Sequence, residues 1–235
     1  MRLDKYITEN YDIQSRNKAS ELIKASKVSV NDIIIKKPSF DVSDKDSITL
    51  LEENFYVSRS AYKLKYFLQD NKIDVAGKNA IDIGSSTGGF TQILLNNNIQ
   101  KVTCVDVGDN QLHKSIKNND KIEIVENTDI RKYISHTPFE IVTCDVSFIS
   151  ILNILEDIDR LSSDKIIILY KPQFEVGRDV KRDNNGVVLD KKAISKERAN
   201  FIEETTKLNW KLLVSNESKL AGKSGNIEEL FYFEK

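Results

Sequence analysis

Seven short apolar runs punctuate the chain beyond residue 74, at 79–83, 101–106, 121–125, 139–146, 165–171, 211–215 and 227–233. Helical patterns separate most of them. This alternation predicts a doubly wound α/β sheet. In such a sheet ligands bind outside the carboxyl ends of the strands. The residues that close each run are therefore the first candidates for chemistry.

The first run closes in a glycine turn, NAIDIGSSTGGFTQILL over 79–95, and a helix-like stretch follows at once. A strand–turn–helix gathers backbone N–H groups and a helix N-terminus at one spot. Gly84, Gly88 and Gly89 give G-x-x-x-G-G, which is not the dinucleotide fingerprint G-x-G-x-x-G. A P-loop needs Lys and Ser/Thr after its last glycine. Phe90 and Thr91 stand there instead. The bulk of Phe90 suits a ligand with less anionic charge at the turn, and a tight turn in an ordinary α/β domain is the plain alternative.

The 235 residues suffice for one large domain, or a large and a small one. A net charge of −1 gives no bulk electrostatic pull toward nucleic acid. The two cysteines, Cys104 and Cys144, end apolar runs without metal-ligand spacing, so buried thiols are expected and a structural zinc site is not. No stretch approaches the roughly 20 apolar residues of a membrane span. The first residues, MRLDKYITENYDI, carry no apolar signal core, so the cytoplasm is the expected compartment.

Residues 1–53 read as a separate α+β module. Leu3, Tyr6 and Ile7 fall at helical spacing, and Ser15 is a plausible N-cap for SRNKASELIKA. Short β-like runs follow in VSV, DIII and SITLLE. Nine Lys/Arg stand against ten Asp/Glu here, yet Arg16, Lys18, Lys24 and Lys27 crowd the second helix and its exit. Such a patch can bind phosphates on a neutral module, although a solvated helix face reads the same way.

Acids stand at successive strand ends. Asp106 closes KVTCVD, 22 residues after Gly84, Asp129 lies in NTDIR, and Asp145 lies in CDVSF. A carboxylate at the second strand can accept hydrogen bonds from ribose hydroxyls, in nicotinamide and S-adenosylmethionine sites alike.

RLDKYI, SRNKASELIKASKVSVND and KPSFDVSDKDSITL resemble the small RNA-binding domain of the ribosomal protein S-four type, with Ser26 and Asp32 where glycines are usual. DIGSSTGGFTQ, VDVGDNQL, NTDIR, CDVSFIS, KPQFEVGR, NGVV and GNIEE follow the order and spacing of the TlyA (hemolysin A) family. The resemblance covers essentially the whole chain. It implies a Rossmann-like class I S-adenosylmethionine-dependent methyltransferase sheet over 54–235, with the S-four-type domain at 1–53. Members look like FtsJ-type enzymes that methylate ribose 2′-hydroxyls of cytidines in 16S or 23S ribosomal RNA, and the lengths of their termini lean this chain toward 23S.

The resemblance further implies that Gly84, Ser85, Ser86, Thr87, Gly88, Gly89, Phe90, Asp106, Val107, Asp129, Ile130 and Asp145 hold S-adenosylmethionine and release S-adenosylhomocysteine, with no metal required. Matching the FtsJ-type Lys-Asp-Lys-Glu set residue by residue gives Lys63, Asp145, Lys171 and Glu228. Glu228 has Glu229 beside it, and the G-N-x-E spacing selects Glu228. Relatives often carry two glycines where Ser60 and Ala61 stand. Lys171 is the candidate base, because a lysine among cations or in a dry site loses its proton more easily. Arg2, Lys5, Arg16, Lys18, Lys24, Lys36, Arg59, Arg178 and Arg182 are the expected RNA contacts. The last two lie in a long polar loop, 174–192, expected to be mobile before RNA binds. The expected partner is ribosomal RNA or a ribosomal subunit, bound by a monomer with no membrane role. The competing readings are a nicotinamide-dependent oxidoreductase and a membrane-active haemolysin.

Overall fold

The structure is a computed structural model that describes residues 1–10, 13, 15–43, 45–51 and 56–235. The chain divides into two compact units, 1–55 and 56–235. The boundary expected at residues 53 and 54 lies outside the described residues.

The first unit holds helices α1 (Leu3–Asn10) and α2 (Arg16–Lys24) and strands β1 (Val28–Val30), β2 (Ile33–Ile34) and β3 (Ile48–Leu50). Ser15 caps α2, its hydroxyl accepting from the Lys18 N–H. β1 is central and pairs antiparallel with both neighbours. Leu3, Ile7, Ala19, Leu22, Ile23, Val28 and Val30 fill the core. Ser26 and Asp32, where relatives carry glycine, have φ of 62° and 64°. Both turns thus demand the left-handed conformation that glycine adopts freely, and Asp tolerates it better than Ser.

The second unit opens with α3 (Arg59–Asn71). Seven strands follow: β4 (Asn79–Ile83), β5 (Lys101–Val105), β6 (Ile122–Val125), β7 (Phe139–Cys144), β8 (Ser162–Tyr170), β9 (Lys211–Glu217) and β10 (Glu229–Glu234). All seven runs read from the sequence are strands of one sheet, in the order β6-β5-β4-β7-β8-β10-β9. Between them lie α4 (Gly89–Asn96), α5 (Lys114–Lys117), α6 (Leu155–Leu161), α7 (Pro172–Glu175) and α8 (Lys191–Lys207). The first five strands pair in parallel, while β10 runs antiparallel to both β8 and β9. A dinucleotide-binding sheet continues in parallel through its sixth strand, so this inserted antiparallel strand separates the fold from that class.

Alternation along the strands divides the core. Ile81, Ile83, Val142, Ile166, Ile168, Phe231 and Phe233 pack with Ile158 of α6 and Phe201 of α8. On β4 the opposite side chains are Ala80 and Asp82, both buried. Asp82 accepts from the N–H and hydroxyl of Thr91 on α4 (2.9 and 2.6 Å) and from the Thr143 hydroxyl (2.8 Å). It ties the first turn of α4 to two strands. Both cysteines are free and buried.

Candidate active site

The site is built where β4, β5, β6, β7 and β8 end. The β4–α4 turn is drawn inward because the Gly84 N–H donates to the Val105 carbonyl (2.8 Å) and the Asp145 N–H to the Ile83 carbonyl (2.9 Å). Gly84 has φ +76°, and a Cβ there would lie 2.9 Å from the Asp145 carbonyl oxygen. Glycine is required on both counts. Two adjoining cavities open on this turn and share Gly84, Ser86, Asp145 and Ser147. The smaller, about 140 Å³, is lined by hydroxyls of Ser58, Ser60, Ser85 and Thr87 and closed by Phe90 and Lys171. The larger, about 450 Å³, mixes Val107, Ile130, Val146, Phe148 and Ile149 with Asp106, Asp129 and Arg131.

Ten of the twelve residues expected at the cofactor line these cavities. Gly88 and Gly89 do not. Gly88 has φ +90° and packs on Leu112 and Ile116; Gly89 lies under Ser58, Ser60 and the Ala61 N–H. A Cβ at either position would collide with these neighbours, so glycine here lets α4 pack closely. Asp106 lines the larger cavity, but its oxygens already accept from the N–H groups of Ser86 (2.8 Å) and Gly108 (2.7 Å). It clamps two loops; Oδ1 also accepts from the Gln111 side-chain amide at 3.4 Å, and Oδ2 retains room for a further donor. Asp129 caps a 3₁₀ turn and is gripped by the Arg131 guanidinium, which holds its carboxyl down at about 2.

Lys63, Asp145, Lys171 and Glu228 come together as two ion pairs. Lys171 Nζ lies 2.6 Å from Asp145 Oδ1 and donates to the Ser147 hydroxyl at 2.9 Å. Lys171 stands where Pro172 breaks the chain out of β8 and starts α7. Lys63, on α3, pairs with Glu228, and both are buried, at 7 % and 3 % exposure. The neighbouring Glu229 turns away to the Arg198 guanidinium at 2.6 Å. Gly222 leaves the room Glu228 occupies, because a Cβ there would run into its carboxylate. Burial pushes the Asp145 carboxyl above its ordinary value; the charges of Lys171 and Lys63 oppose this, and Glu228 adds to it. Lys171 and Asp145 line the small cavity, while the buried Lys63–Glu228 pair lines neither cavity and acts on Asp145 through its charges.

The basic residues expected on RNA divide. Lys24, Lys36, Arg59 and Arg178 are exposed, Arg59 also donating to the Ala221 carbonyl. Lys5 pairs with Glu9, and Lys18 lies 4.0 Å from Glu21. Arg2 and Arg16 both engage the buried Asp4 carboxylate, at 2.7 and 3.3 Å, with about half of each side chain still exposed. Arg182 is engaged within the loop itself. Its guanidinium donates to the carbonyls of Gln173, Gly177, Arg178 and Val180. It knits the polar loop together, helped by its bridge to Val188 and by Asn226, which bonds Gly186 and Val188.

Several residues at or under the site escape sequence reading. Asp82 carries a signal, a lone acid inside an apolar strand. Ser58, Ser60 and Gln173 carry none. Glu126 receives the N–H groups of Asn110, Gln111 and Leu112 and fixes the loop after Asp106.

Residues 56–235 match the FtsJ-like methyltransferase family, and residues 1–48 match the S4 domain. A 23S rRNA (cytidine-2′-O)-methyltransferase TlyA from Campylobacter jejuni is 47 % identical, across 99 % of both chains. The chain belongs to the TlyA family of FtsJ-like methyltransferases. A 16S/23S rRNA (cytidine-2′-O)-methyltransferase TlyA from Mycobacterium tuberculosis is 34 % identical to this TlyA-family chain, over 97 % of it and 87 % of the relative. Among solved structures, a hemolysin candidate from Streptococcus thermophilus superposes with a TM-score of 0.74 at 30 % identity, covering all of this chain and 88 % of the other.

Proposed function

We propose that this chain methylates the ribose 2′-hydroxyl of a cytidine in ribosomal RNA, 23S rRNA foremost, with S-adenosylmethionine as donor. The observation that carries the reading is the pairing of Lys171 with Asp145 and Lys63 with Glu228 beside the glycine-turn cavities. The family and the TlyA relatives add their weight to it.

The cavities fit the donor chemically. The small hydroxyl-rich pocket at the N-terminus of α4 suits the amino-acid end. Asp106 suits the ribose, and the apolar walls of Val107, Ile130 and Ile149 suit the purine. S-adenosylmethionine, when bound, supplies a methyl group already activated on sulfonium. The protein's task is to hold the ribose hydroxyl in line and accept its proton. Lys171 lies nearest that role. Asp145 fixes its ammonium in place, and Ser147 limits its swing. In this arrangement Lys171 Nζ donates to Ser147 and pairs with Asp145, and as the base it takes the proton from the ribose hydroxyl. Lys63 and Glu228 orient the ribose and balance the charge.

The S4 domain supplies RNA affinity through Arg2, Lys5, Arg16, Lys18, Lys24 and Lys36, with Arg59 and Arg178 as contacts on the FtsJ-like unit. The enzyme acts as a cytoplasmic monomer on rRNA or a ribosomal subunit. The antiparallel β10 and the missing G-x-G-x-x-G argue against an oxidoreductase. Among the described residues no helix is long and apolar enough to cross a membrane. Purified protein, labelled S-adenosylmethionine and rRNA lacking the modification provide the test. Label in 2′-O-methylcytidine is expected; label on a base, or on no RNA nucleoside, overturns the reading.

A further inference from the structure

We propose that Gln173 is a positioning residue for this reaction: its side-chain amide holds the Glu228 carboxylate aligned against Lys63. The inference rests on the functional reading above and deepens it. Glu228 is 3 % exposed, and its two oxygens serve two donors. Oε2 faces Lys63, and Oε1 accepts from Gln173 Nε2 at 3.1 Å. The Gln173 carbonyl oxygen, Oε1, is itself buried with no hydrogen-bond partner among the described residues. A buried orphan acceptor is costly and calls for a reason. The reason here is geometric. Turning the amide over would aim its carbonyl oxygen at the Glu228 carboxylate, so the side chain keeps its donor on Glu228 and leaves its acceptor unpaired.

The backbone of Gln173 is fixed as well. It follows Pro172 in the single turn of α7, and the Arg182 guanidinium donates to its carbonyl at 3.2 Å. The charges around Glu228 come from several elements: Lys63 on α3, Asp145 after β7, and Lys171 after β8, paired to Asp145. Both Lys63 and Glu228 act electrostatically on Asp145. Glu229 is held off by Arg198 of α8. Within this set Gln173 is a neutral donor. It fixes Glu228 Oε1 without adding charge to a balanced quartet. Loss of that donor frees Glu228 to rotate, and Lys63 loses its fixed partner.

Two substitutions test this in the full chain. Gln173→Met keeps the length and removes the donor. Gln173→Glu supplies a group that donates only while protonated. The expected result for Gln173→Met is a fall in kcat of about ten-fold or more, with the Kd for S-adenosylmethionine and the Tm at wild-type values. For Gln173→Glu, activity relative to wild type is expected to decline as pH rises, because a second carboxylate then ionises against Glu228. A Gln173→Met enzyme within two-fold of wild type, or a Gln173→Glu ratio indifferent to pH, overturns the proposal and leaves the functional reading standing. Activity losses that merely track unfolding in both variants also overturn it, reducing Gln173 to packing. A folded wild type with no methyltransferase activity overturns both.

Discussion

Lys171 and Asp82 show two uses of a charged group in a dry place. Lys171 is held by Asp145 and Ser147 at the end of β8. Lys171→Ala is expected to bind cofactor normally and to lose about 10²–10⁴ in methylation rate, the range for a lost general base. Lys171→Arg should not restore activity, because guanidinium does not give up its proton; an active Arg variant would move the base elsewhere. Asp82 lies deeper. Burial raises its carboxyl from 3.8 to about 6, although bonds from Thr91 and Thr143 pull the other way. Its folded pKa exceeds its unfolded one, so folding takes up a proton between about pH 4 and 6, and its contribution to stability grows as pH falls through that window. Asp82→Asn keeps an acceptor for Thr91 and removes the charge. It should be more stable than wild type at pH 7.5, by on the order of 1–3 kcal/mol, and the gain should vanish toward pH 4; thermal unfolding against pH reads this directly. The four charged residues came from the resemblance to the FtsJ-type set, and the fold brings them together as two ion pairs. Gln173 was not legible, because a neutral amide acting on one carboxylate leaves no pattern in a single sequence.

At the scale of elements, the seven apolar runs sufficed to place every strand of the large sheet, since each is a short apolar run bounded by a helix or turn, even the exposed edge strand β9. Direction was not legible: nothing in ELFYFE distinguishes an antiparallel strand from a parallel one. The glycine turn was legible as a turn but not in its division of labour. Gly84 meets Asp145 across the site, whereas Gly88 and Gly89 seat α4 against α5 and α3 residues. Gly84→Ala forces a left-handed conformation costing on the order of 1–2 kcal/mol, and its Cβ presses on the Asp145 carbonyl. A lowered Tm together with weakened S-adenosylmethionine binding is the expected outcome, measured by calorimetry. Unchanged affinity in a folded Gly84→Ala protein would separate the turn from the cofactor. The polar loop after α7 is expected from sequence to be mobile before RNA binds; Arg182 satisfies four carbonyls in and beside it, a role that sequence cannot distinguish from a phosphate contact.

For the whole molecule, the proposed chemistry lies on the FtsJ-like unit and most of the proposed RNA contacts lie on the S4 domain. The two cavities are lined by, and both ion pairs are made of, residues of 56–235. A fragment spanning 56–235 should therefore bind S-adenosylmethionine as the full chain does and fail to methylate rRNA at a comparable rate. Full activity from the fragment would refute this division. The central claim, that the chain modifies cytidine ribose in rRNA through Lys171, is tested most directly by mapping 2′-O-methyl groups on rRNA from three strains: wild type, a gene deletion, and the deletion carrying Lys171→Ala. The account expects one or more 2′-O-methylcytidines in 23S or 16S rRNA that disappear on deletion and stay absent with the Lys171→Ala gene. Identical methylation maps in all three strains would contradict it.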